Sequence, residues 1–301
     1  MIMKKAIITG GTGLVGQSLA RYLASQNIDV LCTGRKQLSK ENIEENFGKN
    51  ISYLELDLEN IDELEKKLEM LKWQPGNNCV FYHFAWSGVD RLTDGNIQDQ
   101  LKNVVFSANA IIAAKKIGCF KFVNSGTIEE TYAEWHLHKK SNFNSSQANY
   151  AIAKLAARDM CKMTAYLEKI DYIHTRLSVP LSPDLSIGGY VPQTLKKIIS
   201  REDYTSPNNE QLFDIVSTED TALAYYLIGM KGLNKSDYYI GCGQPIVLRD
   251  YFSQFENYIK GMPVVKKDYS DIFSSDFFKT DQLQTDTGFA SEFNQFNFFE
   301  K

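Results

Sequence analysis

The sequence has few cysteines and histidines, and neither residue type is clustered. Its five cysteines stand apart, without a Cys-x-x-Cys pair, and only four histidines occur among 301 residues. Structural zinc sites need ligands at short, regular spacings, and disulfide frameworks are typical of small secreted domains. We therefore expect a reduced, cytoplasmic protein without a metal site.

Long apolar runs and an excess of positive charge are also missing. No uninterrupted hydrophobic stretch approaches the roughly 18 residues of a membrane-spanning helix, so no membrane anchor is expected. Lys4 and Lys5 lead straight into the first predicted strand, so no signal peptide is expected either. The net charge is −4, and the basic residues occur as scattered pairs. This pattern argues against nucleic acid as a partner.

Glycine, in contrast, is present in a pattern near the N-terminus. Gly10, Gly13 and Gly16 stand three residues apart, where a short apolar run gives way to an amphipathic helical pattern. Glycines permit a sharp turn, a close approach of main chain to pyrophosphate, and tight packing of helix on strand. The helix N-terminus adds unpaired N–H groups and a positive dipole end. The sequence thus predicts a dinucleotide-phosphate site with contacts from Gly10, Thr12, Gly13, Leu14, Val15 and Gly16.

The first half of the chain alternates strand and helix patterns. Strands are predicted at 6–8, 29–33, 51–56, 79–84, 121–124 and 172–177, and helices at 61–71, 97–116 and 149–167. Strands joined by helices form a parallel sheet covered on both faces, which predicts an α/β, Rossmann-type doubly wound fold. Prolines and glycines interrupt the alternation after residue 180. We predict a dinucleotide-binding domain at 1–178 and a smaller, mainly substrate-binding portion at 179–301, parts of which return to the sheet.

The end of the second predicted strand bears on the choice of dinucleotide. An NAD site places an acidic side chain there to bind the ribose 2′-hydroxyl, and that charge repels a 2′-phosphate. Gly34 stands where the acid is expected, and Arg35 follows it. The pair favours NADP(H), with NAD as the alternative. Asp57, after the third strand, is predicted either to contact the adenine or to cap a helix.

Tyr150 and Lys154 are four residues apart in a predicted helix, so both side chains lie on one helical face. A phenol titrates near pH 10 in water, and a neighbouring ammonium group lowers that pKa by stabilising the phenolate. The pair is therefore a candidate general acid/base. Ser125, at the end of the fifth predicted strand, can hold a substrate oxygen.

Together these residues resemble the short-chain dehydrogenase/reductase superfamily. The glycine segment at 9–16, Ser125 and the Tyr150/Lys154 pair are similar, in order and spacing, to its extended branch of nucleotide-sugar epimerases, dehydratases and ketoreductases. The resemblance covers most of the chain and includes the segments 82–85, 176–180, 213–220 and 239–243.

The resemblance implies a role for each of these residues. Tyr150 is expected to be the general acid/base, Lys154 to hold the nicotinamide ribose, and Ser125 to orient the substrate carbonyl or hydroxyl. Further cofactor contacts are expected from Asp57, Leu58, Phe84, Ala85 and Asn103, and substrate contacts from Trp86, Ser125, Gly126, Thr127, Tyr190 and Arg249.

Departures from the family pattern separate the reactions that its members perform. Dehydratases follow the catalytic hydroxyl with Asp-Glu, an additional acid and base, whereas Gly126 and Thr127 follow Ser125 here. Glu129 and Glu130 come later and are expected to be exposed or to contact a dimer partner. Dehydration is therefore disfavoured.

A second departure concerns the substrate diphosphate. Phe213 stands near the point where many relatives have an Arg that binds this group. Arg249, Lys196, Lys197 or backbone N–H groups are expected to bind it instead.

We predict an NADP(H)-dependent reductase of a nucleotide-linked 4-keto-6-deoxy sugar, and the resemblance implies a role in surface-polysaccharide synthesis. One alternative is an NAD-dependent nucleotide-sugar 4-epimerase, in which the hydride returns to the other face of the sugar. Another is a non-catalytic dinucleotide-binding sensor or scaffold, although such proteins commonly lose the Tyr or the Lys. A homodimer is expected through the helices at 97–116 and 149–167. The role of the aromatic tail around Phe296 is left open.

Overall fold

The computed structural model describes residues 2–48, 51–88, 96–138, 148–185, 189–208, 211–265 and 267–300. Its strands are β1 (Lys5–Thr9), β2 (Asp29–Gly34), β3 (Ile51–Glu55), β4 (Cys79–His83), β5 (Lys121–Thr127), β6 (Asp171–Leu177), β7 (Val179–Leu181), β8 (Leu212–Phe213), β9 (Ile215–Ser217), β10 (Asp237–Ile240) and β11 (Ile246–Val247).

The helices are α1 (Leu14–Ser25), α2 (Lys40–Phe47), α3 (Leu64–Leu71), α4 (Ile97–Lys116), α5 (Glu129–His138), α6 (Ala148–Glu168), α7 (Tyr190–Ser200), α8 (Thr218–Lys231), α9 (Leu248–Ile259) and α10 (Asp281–Thr287). Short 3-10 helices occur at Leu58–Glu63, Phe273–Phe278 and Phe298–Glu300.

Seven strands form one sheet in the order β10-β6-β5-β4-β1-β2-β3, and every neighbouring pair is parallel. The predicted α/β, Rossmann-type doubly wound fold is confirmed. The strand order changes direction between β1 and β4: β2 and β3 follow on one side of β1, and β4, β5 and β6 on the other. In such sheets a ligand binds at the carboxyl ends of the strands near this switch point.

Alternate strand residues face opposite helix layers, which explains why the strands are apolar along their length. In β1, Ile8 packs in one cluster with Leu19 of α1 and Ile228 of α8, whereas Ile7 packs in another with Ile111 of α4 and Cys161 of α6. Both faces of the sheet are thus covered by helices.

The C-terminal portion is built around α7 and α9. Its two small sheets pair β8 with β11 in antiparallel fashion and β7 with β9 in parallel, while β10 joins the main sheet beside β6. The aromatic tail packs into the core of this portion: Phe296 and Phe298 are buried in the cluster that contains Tyr251 and Phe255 of α9. The tail therefore completes the chain's own core.

Some helices differ from the predicted pattern. The helix expected at 61–71 is divided into the 3-10 segment Leu58–Glu63 and α3, and the predicted set omitted α2 and α5. Helix α2 is mostly polar, and it begins where the Ser39 hydroxyl accepts the Asn42 N–H. No helix in the described part of the chain combines the length and apolar character needed to cross a membrane.

Candidate functional site

The glycine turn, which we define as residues 9–16, joins β1 to α1. Gly10 has φ of +70°, and a Cβ there would lie 2.8 Å from the Ala85 nitrogen. A Cβ on Gly16 would lie 2.4 Å from the Gly10 carbonyl oxygen. Gly13 is the N-cap of α1 and offers no side-chain cap, so the first N–H groups of the helix stay open to an anion. These features fit a dinucleotide pyrophosphate.

Other predicted cofactor residues lie beside this turn. Thr12 is exposed, and Leu14 and Val15 are half-buried in the first turn of α1. Phe84 donates its N–H to the Thr9 carbonyl over 3.2 Å. Segment 84–85 therefore forms one wall of the glycine turn.

A side chain in place of Gly34, at the end of β2, would have to displace the Tyr53 hydroxyl. A Cβ on Gly34 would lie 2.6 Å from the Tyr53 hydroxyl oxygen, which donates to the Lys36 carbonyl over 2.7 Å. The same Cβ position is 3.5 Å from the Thr12 side chain. Arg35 is exposed immediately after this point. The end of β2 thus lies next to the glycine turn and presents a cation there.

At the end of β3, Asp57 takes the capping role. Its Oδ1 accepts the Glu59 N–H over 3.0 Å at the start of the 3-10 helix, and Leu58 packs against an apolar cluster. Of the two roles considered for Asp57, this geometry favours the cap. Contacts of Asp57 and Leu58 with adenine remain predictions.

Tyr150, Lys154, Ser125 and Trp86 are brought together by α6, β5 and the segment after β4. Lys154 Nζ donates to the Ser125 carbonyl over 2.9 Å and lies 3.8 Å from the centre of the Trp86 ring. The Trp86 and Tyr150 rings meet edge to face at 6.0 Å, and Lys154 Nζ is 5.9 Å from the Tyr150 ring centre. Tyr150 and Lys154 are both buried. The phenol and the ammonium group therefore share one shielded environment.

His83, the last residue of β4, is buried near Lys154. Its Nδ1 pairs with Thr9 Oγ1 at 2.9 Å and its Nε2 with Ser107 Oγ at 3.1 Å. Burial, and then the positive charge of Lys154, lower the pKa of His83 to about 3. His83 is consequently neutral at pH 7, and the positive charge of this environment belongs to Lys154.

The Ser125 hydroxyl has a partner that the sequence did not indicate. Tyr225 of α8 is fully buried and donates to Ser125 Oγ over 2.9 Å, and its hydroxyl also pairs with Thr175 Oγ1 at 2.9 Å. Burial raises the pKa of Tyr225 to about 12, so the phenol keeps its proton. Tyr225 lies 100 residues from Ser125, which no local motif could reveal.

Asn103 of α4 is buried and holds the segment after β4. Its Oδ1 accepts from the Ser87 N–H over 2.8 Å and from the Ser87 hydroxyl over 3.0 Å, while Nδ2 donates to the Ser87 carbonyl. Trp86 is fixed similarly, because its indole N–H donates to Gln100 Oε1 over 2.9 Å. A contact between Asn103 and the cofactor remains a prediction.

The remaining predicted substrate residues lie on the C-terminal portion. Tyr190 begins α7, donates its hydroxyl proton to the Thr205 carbonyl over 2.5 Å and packs against Phe252. Arg249 is exposed in the first turn of α9, and Lys196 and Lys197 are exposed on α7. These residues therefore come from elements other than those that carry Tyr150.

The prediction for Glu130 is wrong. Its side chain is fully buried and lies 2.8 Å from His174 Nε2, because the first turn of α5 points inward over the ends of β5 and β6. Glu129 is half-buried. Isolated acidic residues in a polar segment are normally exposed, which is why the sequence suggested a surface position.

Two C-terminal segments meet at Asp214, which is buried. Its carboxylate accepts from the Tyr239 hydroxyl at 2.7 Å, the Cys242 thiol at 2.8 Å and the Gly243 N–H at 2.9 Å. Burial raises the pKa of Asp214. We call residues 241–243 the Asp214 turn. A cavity of about 450 Å³ lies next to it, with Ile246, Gln254, Lys267, Tyr269, Phe278 and Lys279 among its lining residues.

A sheet of this order, with an open helix N-terminus behind a glycine turn and a shielded Tyr–Lys pair, defines a Rossmann-type enzyme that uses a nicotinamide dinucleotide. The chain belongs to the NAD dependent epimerase/dehydratase family, whose sequence model matches residues 6–241. The resemblance to extended short-chain dehydrogenase/reductases is confirmed.

Solved structures with the same fold are similar over nearly the whole chain. The UDP-glucose 4-epimerase of Thermotoga maritima has 18% identity and a TM-score of 0.74, with 98% of this chain and 96% of that chain covered. WbmG of Bordetella bronchiseptica, solved with NAD, has 18% identity and a TM-score of 0.70, with 98% and 92% covered. The UDP-N-acetylglucosamine 4-epimerase of Methanobrevibacter ruminantium has 19% identity and a TM-score of 0.68, with 96% and 98% covered.

Proposed function

We propose that the protein is an NADP(H)-dependent reductase of a nucleotide-linked keto sugar, of the 4-keto-6-deoxy type. The observation that carries this proposal is the end of β2, where Gly34 supplies no acid, a side chain in its place would have to displace the Tyr53 hydroxyl, and Arg35 supplies a cation. A guanidinium group attracts the 2′-phosphate of NADP(H), whereas a carboxylate would repel it. NADPH is a reductant, so this preference favours a net reduction over a redox-neutral conversion.

The bound dinucleotide would supply a hydride to the sugar carbonyl carbon, and the protein must supply a proton to the carbonyl oxygen. Tyr150 is the proposed donor of that proton. Lys154, which lies within the same buried environment, stabilises the phenolate that remains and favours proton transfer near neutral pH. Trp86 packs against both side chains, which are buried. The reduction leaves a sugar alcohol and a deprotonated tyrosine, which recovers its proton from solvent.

Two hydroxyl groups at the end of β5 are candidates to hold the carbonyl oxygen. Ser125 Oγ accepts from Tyr225, so the serine's own proton remains available for a substrate oxygen. Thr127 ends the strand, and its Oγ1 accepts only a long 3.4 Å contact from the Glu129 N–H among the described residues. Comparing kcat for Ser125→Ala and Thr127→Val separates these roles, because loss of the substrate-binding hydroxyl gives the larger decrease.

A 4-epimerase is the second candidate. The similarity in fold to the UDP-glucose 4-epimerase of Thermotoga maritima, whose structure was solved with UDP-glucose, favours it. An epimerase would convert a nucleotide hexose without net consumption of cofactor. The buried Tyr150 and Lys154 pair counts against a sensor or scaffold, since such a role needs no shielded proton donor.

The experiment is to mix the protein with NADPH and a panel of CDP-, dTDP-, GDP- and UDP-linked 4-keto-6-deoxy sugars, and to follow NADPH absorbance. We expect oxidation of NADPH that depends on one of these sugars. Interconversion of a UDP-hexose with no added cofactor would instead support the epimerase. NADPH oxidation that no sugar accelerates would contradict both.

Cofactor preference has its own test in Arg35. We expect Arg35→Ala to lower kcat/KM for NADPH by about 10-fold or more, the equivalent of a charge-assisted interaction, and to leave NADH nearly unchanged. Lys36→Ala is the control, because its exposed side chain follows the same strand while its carbonyl still accepts from Tyr53.

We further propose a homodimer through α4 and α6. Large apolar side chains are exposed along both helices: Ile97, Leu101, Val105, Ile112, Ile152, Met160, Met163 and Leu167. Two adjacent apolar helices can meet the same surface of a second copy about a two-fold axis. Light scattering should give twice the mass of one chain, and Val105→Glu should give the mass of one chain. Met70→Glu, on α3, should leave the dimer intact. A wild-type monomer would contradict this assignment.

If the substrate is a nucleotide sugar, the protein serves the synthesis of sugar precursors such as those of surface polysaccharides. The nucleotide is expected on the C-terminal portion, where the 450 Å³ cavity beside the Asp214 turn is within the size range of ligand sites. Tyr190 of α7 and Arg249 of α9 stay predicted substrate contacts, but neither is among the residues that line this cavity.

A further inference from the structure

A buried acid–base pair lies directly behind the end of β5. Glu130 and His174 have no solvent-accessible surface, and Glu130 Oε2 is 2.8 Å from His174 Nε2. Charged side chains are rarely buried unless they are fully hydrogen-bonded, because removal from water is costly. This pair therefore needs a structural or functional reason.

The hydrogen bonds of the pair are complete and point toward Thr127. Glu130 Oε1 accepts the Thr127 N–H over 3.0 Å, and Oε2 accepts from His174 Nε2. His174 Nδ1 is 3.2 Å from both Asn124 Nδ2 and the Tyr172 hydroxyl, which act as donors. Because the Asn124 amide nitrogen can only donate, Nδ1 of His174 accepts, and Nε2 carries the proton that Glu130 Oε2 accepts. One oxygen of Glu130 is thus held by His174, and the other holds the Thr127 peptide.

Gly126 shows how closely the pair packs against the strand. A Cβ at this position would lie 2.3 Å from Glu130 Oε1, 2.4 Å from His174 Nε2 and 2.6 Å from the Thr175 carbonyl. The pair therefore occupies the volume that a side chain at 126 would take. The sequence Gly126–Thr127 and the pair Glu130–His174 form one packing unit.

The position of Glu130 in α5 also favours its charge. Glu130 is in the first turn of this helix, where unpaired N–H groups and the helix dipole stabilise an anion. The carboxylate thereby links the start of α5 to the end of β5 and, through His174, to β6. A rigid link at this point would fix the direction of the Thr127 side chain.

We propose that Glu130, with His174 behind it, is a positioning residue: its carboxylate sets the Thr127 peptide and so directs the Thr127 hydroxyl at the substrate. This proposal rests on the proposed function, in which Thr127 is one of the two hydroxyl groups that are candidates to hold the sugar carbonyl oxygen. A displacement of about 1 Å at a reacting group can lower a rate by about 100-fold, so a buried peptide contact can have a large kinetic effect.

The test is a double-mutant cycle between Glu130→Ala and Thr127→Val in the full-length protein. We expect Glu130→Ala to lower kcat by about 10- to 100-fold in the wild-type background. In the Thr127→Val background the same change should lower kcat by less than about threefold, because the group it positions is already gone. Equal losses in both backgrounds would overturn the proposal, as would full activity of a folded Glu130→Ala variant.

Two further variants separate positioning from loss of folding. Glu130→Gln retains an acceptor for the Thr127 N–H and should recover most of the activity. Glu134→Gln is the matched control on α5, because Glu134 pairs with Arg158 and Arg176 and not with Thr127. It should lower the melting temperature without a specific loss of kcat. Loss of kcat in the control equal to that of Glu130→Ala would contradict the proposal.

If the wild-type protein reduces no sugar of the panel, the proposed function fails and the contact is tested without turnover. The Thr127 amide proton should then be strongly protected from hydrogen exchange in the wild-type protein, in Glu134→Gln and in Glu130→Gln, which keeps an acceptor, and it should exchange faster in Glu130→Ala. Unchanged Thr127 exchange in Glu130→Ala would show that the carboxylate does not hold this peptide.

Discussion

The glycine turn lies between β1 and α1 and the Asp214 turn between β10 and β11, and the two turns are built differently. The glycine turn is held by its own backbone and an adjacent strand: Gly13 N–H donates to the Gly10 carbonyl, and Gly11 N–H to the Thr33 carbonyl. The Asp214 turn is held by one buried carboxylate, 29 residues away from Gly243. The conformation of a turn held by backbone hydrogen bonds depends on residue types at fixed local positions. The conformation of a turn held by a side chain depends on a residue that is distant in sequence. We call these the backbone-built and the side-chain-built turn.

The largest effect is expected outside both turns, at Tyr150. Tyr150→Phe removes the proton donor and keeps the ring that packs on Trp86, so kcat should fall by about 100-fold or more while the NADPH dissociation constant stays the same. Steady-state kinetics and cofactor fluorescence measure the two quantities. Tyr166→Phe, exposed on the same helix, is the control and should be fully active. Near-normal turnover in Tyr150→Phe would refute the proton-donor role.

Gly16→Ala tests the backbone-built turn. The new Cβ would be 2.4 Å from the Gly10 oxygen and 2.8 Å from Gly11 Cα, so the turn must open. We expect a loss of about 1–3 kcal/mol in the free energy of unfolding, together with weaker NADPH binding. Gly13→Ala, with a closest approach of 3.3 Å, should be milder, and Gly189→Ala, with nothing within 4 Å, should have little effect. Equal effects at all three glycines would remove the steric explanation.

Asp214→Asn tests the side-chain-built turn. The amide cannot accept all the hydrogen bonds from Tyr239, Cys242 and Gly243, and unsatisfied buried donors cost about 1–3 kcal/mol. We expect a lower melting temperature and a higher KM for the nucleotide sugar, with NADPH binding unchanged. Weaker NADPH binding, with the KM for the nucleotide sugar unchanged, would contradict the assignment of this turn to the sugar-binding portion.

His83, which pairs with Thr9 of the glycine turn, and Asp214 should contribute to the free energy of unfolding in opposite directions as the pH falls. The pKa of His83 is lowered to about 3, so the unfolded chain binds this proton first and stability is lost as pH falls from about 6.5 toward 3. The pKa of Asp214 is raised by burial, so its contribution increases as pH falls through that raised pKa. Chemical denaturation of the wild-type protein and His83→Gln at pH 7 and pH 5 measures the first effect. His83→Gln should lose less stability than the wild-type protein between pH 7 and pH 5. An equal loss in both proteins would contradict the role given to His83.

The sequence could predict the parts of the site that rest on local backbone. Gly10, Gly13 and Gly16 reveal their role through spacing, and Tyr150 and Lys154 through one helical turn. The alternating apolar strands predict the parallel sheet for the same reason, since each strand carries its own pattern.

Contacts between residues that are distant in sequence could not be predicted from the sequence. Tyr225 reaches Ser125 from 100 residues away, and Asp214 reaches Gly243 across a buried interface that exists only after folding. Glu130 was predicted to be exposed because acidic residues usually are, and its partner His174 lies 44 residues further on. Such contacts are decided by tertiary packing.

The most direct test of the central claim is transfer of deuterium from C4-deuterated NADPH to the nucleotide keto sugar. Mass spectrometry and NMR of the product should show one deuterium on the reduced carbon, with one NADPH oxidised per sugar. This result would establish a net reduction. Product sugar that carries no deuterium, formed from a nucleotide hexose while the NADPH concentration stays constant, would contradict the account and identify an epimerase.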